Sequence, residues 1–251
     1  MRIFVFLLAL VATSANAGIG DWFKENFGGL FGGDETALVE SQALAALSES
    51  EMIEGVREAL ALGVERAINN LGKTGGFSAN PLVRIEAPQE LAYLEEPLRK
   101  LGQDQMVDNF IVTLNRAAEN AVPEAAEIFG NAIRGLQLAD VKNIVDGGPQ
   151  AATNFLRGAT EEELYKRFRP LVSRATSDTG VTRSYKQLQR VAAPVTMFLK
   201  ENNIADVDLN LDEHVTQGAL DGLFKQLGKE EQKIRENPES RTTEILRRVF
   251  I

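Results

Sequence analysis

Charged and amide side chains stand in two segments of the chain that are otherwise patterned as apolar helices. The candidate ligand-binding residues are Asn115, Arg116, Glu119, Glu231, Arg235 and Arg241. Side chains three or four positions apart are neighbours on a helix, so Glu119 can pair with Arg116, and Glu231 with Arg235. A helix that is covered on more than one side must pair its charges, and structural ion pairs of this kind are commoner than binding sites.

Three functions are compatible with these residues. The leading hypothesis is a non-enzymatic domain that binds a partner protein or a small ligand in a cleft between the two segments. The second is a hydrolase of cell-envelope material, with Glu119 and Glu231 as acid and base, although nothing in the sequence brings these two carboxylates together. The third is a carrier for an apolar ligand, which would need an interior cavity.

The segment that must position the first group is a central helix that starts near Gln103. At about 100° per residue, one arc of this helix collects Val107, Phe110, Ile111, Leu114, Ala117, Ala118 and Ala121. Asn115 and Glu119 fall at the edge of that arc. Pro123 lacks an amide hydrogen, so we predict that the helix kinks or restarts there.

Similar patterns predict helices along most of the chain. Ser48 and Glu51 form a capping box, Thr160 is expected to cap a helix that Pro170 bends or divides, and a long helix follows Leu211. Residues 82–86 contain β-branched side chains between Pro81 and Pro88, and residues 207–211 alternate in polarity; together they predict a minor two-stranded ribbon. The expected fold is therefore a single all-α domain of about eight to ten helices over residues 36–251.

The first 17 residues, MRIFVFLLALVATSANA, have the pattern of a signal peptide, with one basic residue, an apolar run and a final A-x-A. We expect cleavage after Ala17 and a periplasmic location. Residues 18–35 are rich in glycine and aromatic residues. Their aromatic side chains either dock on the domain or make a peripheral membrane contact; they are Trp22, Phe23, Phe27 and Phe31.

Composition excludes several classes of function. The chain has no cysteine and one histidine, so disulfides and thiolate metal sites are ruled out, and we expect neither a metal nor a cofactor. The net charge of −9 includes no obvious basic block and argues against binding to nucleic acid or to anionic membrane surfaces.

Four segments resemble a bacterial exported family known as domain of unknown function 4197. The first is GVREALALGVERAINNLGKTGGFSANPLVRI at residues 55–85, and NRAAENAV begins at Asn115. The others are AAT at residues 151–153 and EEQKIRENPESRTTEILRRVF at residues 230–250. The resemblance covers most of the chain beyond residue 17 and implies an exported, mainly helical domain. It implies no reaction and no catalytic residue.

Overall fold

The computed structural model describes residues 48–199 and 210–240, together with Trp22, Glu25, Asn26 and Arg247. In chain order the helices are α1 (Glu49–Leu71), α2 (Gln89–Lys100), α3 (Asp104–Ala121), α4 (Ala125–Arg134), α5 (Leu138–Val145), α6 (Ala151–Asp178), α7 (Val181–Leu199) and α8 (Leu211–Glu236). A short 3₁₀ turn, Val122–Glu124, lies between α3 and α4, and another, Pro238–Ser240, follows α8. The prediction of an all-α fold is confirmed.

Local sequence signals set several helix ends. The hydroxyl of Ser48 accepts a hydrogen bond from the amide of Glu51, whose carboxylate accepts from the amide of Ser48, so the predicted capping box is present. Gly72 is the C-cap of α1. The 3₁₀ turn that contains Pro123 separates α3 from α4, in agreement with the prediction that the helix restarts at this proline, which has no amide hydrogen to donate.

Helix α3 lies at the centre of the domain and packs against α2, α6, α7 and α8. The large side chains of its buried face are Phe110, Ile111 and Leu114. Toward its C-terminal end this face carries Ala117, Ala118 and Ala121. Alanines have short side chains, so neighbouring helices can pack closely against this end of α3.

The region after Gly148 differs from the prediction. Thr160 does not cap a new helix and Pro170 does not divide one, because both lie inside the 28 residues of α6. The hydroxyl of Thr160 donates to the carbonyl of Leu156, one turn earlier, which keeps this residue within the helix. Along its length α6 packs against α3, α4, α5, α7 and α8, and this burial outweighs the hydrogen bond that Pro170 cannot make.

Helices α6 and α8 run antiparallel and are joined by polar contacts. Arg157 of α6 bonds to Asp221 of α8 at 3.0 Å, and the Tyr165 phenol donates to Glu213 at 2.5 Å. This hydrogen bond raises the pKa of the Tyr165 phenol above 10.0 because it stabilises the protonated form. Residue numbers rise from Arg157 to Tyr165 in α6, while those of their partners fall from Asp221 to Glu213 in α8, which shows that the two helices are antiparallel.

The predicted β-ribbon is not found among the described residues. Residues 84–88 are irregular, and Leu211 begins α8, whereas residues 207–209 lie outside the part of the chain that the structure describes. The physical reason lies in Ile85, whose amide and carbonyl both bond to the side chain of Asn115. An amide side chain takes the place of the neighbouring strand, so no second strand is needed to satisfy this backbone.

Two glycines of α8 let the segment between α1 and α2 approach this helix closely. A β-carbon at Gly222 would lie 2.5 Å from the ring of Phe77, and one at Gly218 would lie 2.9 Å from the side chain of Ile85. Phe77 and Ile85 are both buried. The segment between α1 and α2 is therefore held between α3 and the glycine face of α8.

Of the four N-terminal aromatic residues, Trp22 is the one that the structure describes. Trp22 packs against the core, and a β-carbon at Gly130 would lie 2.4 Å from its ring. Phe23, Phe27 and Phe31 lie outside the described residues, as do residues 36–47, for which the sequence predicts a first helix of the domain. Within the described ranges, no helix is both long enough and apolar enough to span a membrane.

We predict that Gly222→Ala lowers the free energy of unfolding by about 1–3 kcal/mol, because the added methyl group overlaps the ring of Phe77. The matched control is Gly158→Ala, which lies inside α6 with nothing within 4 Å of the new β-carbon. Alanine there should raise the free energy of unfolding by about 0.5–1 kcal/mol. Urea denaturation of both variants tests the pair, and equal effects would contradict the proposed packing.

Candidate functional site

Asn115 lies on the buried side of α3 and has no exposed surface. Its Oδ1 accepts from the amide of Ile85 at 2.9 Å, and its Nδ2 donates to the carbonyls of Ile85 and Ile111, both at 2.8 Å. Both amide hydrogens and the side-chain oxygen are therefore engaged with backbone groups. Asn115 holds the segment before α2 onto the central helix.

Glu119 lies one turn further along α3 and bonds to the same segment. Its Oε1 accepts from the amides of Phe77 and Ser78 at 3.1 and 3.3 Å, and from the Ser78 hydroxyl at 3.4 Å. Arg116, in contrast, is exposed. Glu119 is directed toward the backbone of this segment, and the structure has no ion pair between Glu119 and Arg116.

Glu231 caps the N-terminus of α6 from the neighbouring helix α8. Its Oε1 accepts from the amide of Ala152 at 3.1 Å, while its Oε2 accepts from the amide and hydroxyl of Thr153 at 2.9 and 2.7 Å. The first amides of a helix lack partners within the helix, and a carboxylate placed there also interacts favourably with the helix dipole. The side chain at the α6 N-cap, Gln150, makes no capping bond of its own.

Arg235 forms the predicted ion pair with Glu231, at 2.9 Å, and both side chains are largely buried. Its second contact is from Nη2 to the carbonyl of Ile144, at 2.8 Å, near the end of α5. Arg235 therefore links α8 to α5, while Glu231 links α8 to α6. Arg241, the remaining candidate, lies outside the described residues.

The two groups of candidates do not share a hydrogen-bond partner. Asn115 and Glu119 bond to residues 77–85, whereas Glu231 and Arg235 bond to residues 144–153. All four side chains bond to backbone groups of loops or helix ends. Two separate structural clusters are present, and they do not form one polar cleft.

A groove of about 700 Å³ between α6 and α8 is the feature that the sequence interpretation missed. Lys225 and Lys229 lie one turn apart on α8 and are exposed along it. The amide side chains of the groove are those of Gln150, Asn154 and Gln232, and Leu82 lies at its edge. Two lysines at this spacing on the polar side of an amphipathic helix are the sequence signal, but solvated helix faces commonly carry the same pattern.

Arg157 gives this groove a fixed positive charge. Its guanidinium bonds to Asp221 at 3.0 Å and lies over the ring of Phe224, 4.6 Å from the ring centroid. An arginine held by an ion pair and a ring face loses little side-chain freedom when it contacts a ligand. With Lys225 and Lys229, the groove has three cations against the single carboxylate of Asp221.

The side chains of the described residues contain no group of three or more histidine and acidic residues that could hold a metal ion. The groove lining likewise includes no histidine. Its chemistry is that of amide, lysine and arginine donors around a partly apolar floor, which suits binding of a polar ligand.

Together, the fold and these clusters define an all-α domain in which buried amide and carboxylate side chains hold irregular backbone segments onto a helical core. Residues 46–251 match the family model described as "Protein of unknown function (DUF4197)", and the chain belongs to this family. No curated protein and no solved structure matches the chain.

The segments that carry the family resemblance contact one another in pairs. Residues 77–85 bond to Asn115 and Glu119. Residues 152 and 153 bond to Glu231. These sequence blocks therefore correspond to contacts that hold the fold together.

We predict that Asn115→Ala lowers the free energy of unfolding by about 2–4 kcal/mol, because it leaves the amide and carbonyl of Ile85 buried without partners. The matched control is Asn120→Ala, an exposed asparagine on the same helix, which should change stability by less than about 0.5 kcal/mol. Urea denaturation measures both values. An Asn115→Ala variant as stable as the control would contradict the role of Asn115.

We predict that Glu231→Ala lowers the free energy of unfolding by about 2–4 kcal/mol, because it uncaps α6 and leaves the partly buried Arg235 without its carboxylate. Hydrogen exchange at the amides of Ala152 and Thr153 should accelerate more than exchange elsewhere in α6. Glu236→Ala, at an exposed position of the same helix, is the control. Unchanged exchange at these two amides would show that Glu231 does not cap α6.

Proposed function

We propose that this protein is an exported, non-enzymatic binding module of the cell envelope, and that the groove between α6 and α8 is its ligand site. The observation that carries the proposal is the open groove of about 700 Å³, with two exposed lysines and three amide side chains along it. Ligand sites in proteins typically have volumes of about 300–1,000 Å³.

The charges of the groove favour an anionic ligand. Arg157 is fixed by Asp221 and Phe224, while Lys225 and Lys229 are free to reach outward. Exposed Leu82 adds apolar surface, whereas the ring of Phe224 is buried beneath Arg157. An acidic peptide segment has the elongated shape, the negative charges and the occasional apolar side chain that this lining accommodates.

The hydrogen bonds of the two carboxylates support a non-enzymatic role. Glu119 and Glu231 accept from main-chain amides of separate segments, and Glu231 also pairs with Arg235. A general acid or base must instead reach a proton on a bound substrate. The hydrolase hypothesis therefore has no supporting geometry at these residues.

The interior gives equally little support for an apolar carrier. A cavity beside Glu231, lined by apolar side chains of α1, α6 and α8, has a volume of about 30 Å³. This volume holds about two water molecules and is far below the size of a lipid or a comparable apolar ligand.

Export is the part of the proposal that rests on sequence. Residues 1–17 combine one basic residue, an apolar run and a final A-x-A, and the chain has no cysteine that would need a reducing compartment. A binding module with this leader would meet its ligand outside the cytoplasm.

Native mass spectrometry of the protein from the periplasmic fraction tests the proposal. We expect a chain lacking residues 1–17 and a retained ligand mass. Lys225→Glu combined with Lys229→Glu should weaken ligand binding at least about tenfold, because two attractive charges become repulsive. The control pair Lys73→Glu and Lys142→Glu changes the net charge equally at exposed positions outside the groove and should retain the ligand.

A weakly held ligand can be captured in cells by a photo-crosslinking amino acid at Gln232, an exposed groove position. The same amino acid at Gln105, exposed on α3, is the control. A crosslink from position 232 that the lysine pair variant abolishes would support the groove. Loss of the ligand mass or crosslink in both pair variants, or in neither, would contradict it.

A further inference from the structure

Positive charge is concentrated in one stretch of this acidic protein. Residues 164–190 contain seven basic residues and one acidic residue, Asp178, whereas the other 224 residues contain 20 basic and 35 acidic residues. The net charge of the whole chain conceals this separation. The stretch covers the C-terminal half of α6 and the first half of α7.

Five of these basic residues are exposed and make no ion pair within the described part of the chain; they are Arg169, Arg174, Arg183, Lys186 and Arg190. By contrast, Lys166 pairs with Glu162 and Arg167 pairs with Glu124. We name the four unpaired residues nearest to the turn at Gly180, from Arg174 to Arg190, the cationic surface. Its charges are solvated and available to an anionic partner.

The turn between α6 and α7 shapes this surface. Gly180 adopts a φ of +81°, a left-handed conformation that glycine tolerates, and the chain reverses there. Around the turn is an open concavity of about 720 Å³, lined by Arg183, Lys186 and Arg190 together with hydroxyl and amide groups of Ser177, Thr182 and Gln187. No acidic side chain lines the concavity.

We propose that the cationic surface binds the anionic phospholipid headgroups of a membrane surface. Lysine and arginine clusters are attracted to anionic bilayers, each residue contributing about a fivefold increase in binding. The concavity supplies hydroxyl and amide donors that complement phosphate oxygens. The acidic remainder of the chain is repelled by such a membrane, so this surface sets the orientation of the bound protein.

Two observations favour a lipid surface over another anionic partner. The lining of the concavity includes no aromatic side chain on which a nucleic-acid base could stack, and Tyr185, which is half-buried, packs against Phe110 with ring centroids 6.2 Å apart. The same helix continues into residues 191–199, VAAPVTMFL, which carry no charge. The continuation of this helix therefore adds no acidic residue beside the cationic surface that would repel an anionic bilayer.

Vesicle sedimentation with the purified protein tests the proposal. We expect binding to phosphatidylcholine vesicles that contain phosphatidylglycerol, little binding to pure phosphatidylcholine vesicles, and progressive release as salt is added. The triple variant Arg183→Gln, Lys186→Gln and Arg190→Gln should bind the anionic vesicles about 100-fold more weakly.

The matched control is Lys73→Gln, Arg116→Gln and Lys142→Gln, which removes three exposed positive charges outside the cationic surface. It should bind anionic vesicles as the unmodified protein does. Equal binding to both kinds of vesicle, equal loss in both triple variants, or a change of oligomeric state in the first variant without vesicles would overturn the proposal. The groove pair Lys225→Glu and Lys229→Glu keeps the cationic surface, so failure of the proposed ligand site and failure of membrane binding are distinguishable.

Discussion

The structure depends on hydrogen bonds that buried side chains make to backbone groups outside regular secondary structure. The segment between α1 and α2 buries Phe77, Val83 and Ile85 without a strand partner for its main chain. A buried amide or carbonyl without a partner destabilises the folded state by about 1–3 kcal/mol, so these apolar side chains can be buried only if the main chain is also satisfied. Asn115 and Glu119 provide the partners from one side, while Gly218 and Gly222 provide the space on the other.

The same principle operates at the start of α6, where Glu231 replaces a local cap. A local capping residue fixes only the helix that it begins, whereas a carboxylate from α8 fixes α6 and α8 relative to each other. Arg235 extends the arrangement to α5 through the carbonyl of Ile144. Asn115, Glu119, Glu231 and Arg235 therefore hold backbone segments and helix ends in place on the helical core.

The sequence predicted several features that depend on local chemistry, although the Glu119–Arg116 pair, which is also local, is not formed because Glu119 bonds to the amides of residues 77 and 78. The capping box of α1, the break at Pro123 and the Glu231–Arg235 pair each involve residues within four positions of one another, and all are present.

Features that depend on distant residues were missed. Residues 82–86 have the β-branched residues of a strand, but Asn115, 30 positions from Ile85, supplies the hydrogen bonds. Nothing local at Thr160 reveals that the helix beginning at Ala151 continues through this position, because the packing that keeps it continuous comes from distant helices. The concentration of basic residues in 164–190 is visible in the sequence, but the net charge of the whole chain does not reveal it.

Helix α6 contributes residues to both the groove and the cationic surface. Arg157 lies in the groove, and Arg174, 17 residues later on the same helix, belongs to the cationic surface. At 1.5 Å per residue, about 25 Å of helix separates them. Packing against five other helices makes α6 a rigid connection. If the cationic surface rests on a bilayer, a ligand in the groove is held roughly this far along the helix from the headgroups. Two binding surfaces on one rigid helix would give the domain a defined geometry for holding an anionic ligand near a membrane, and this arrangement requires no catalytic residue.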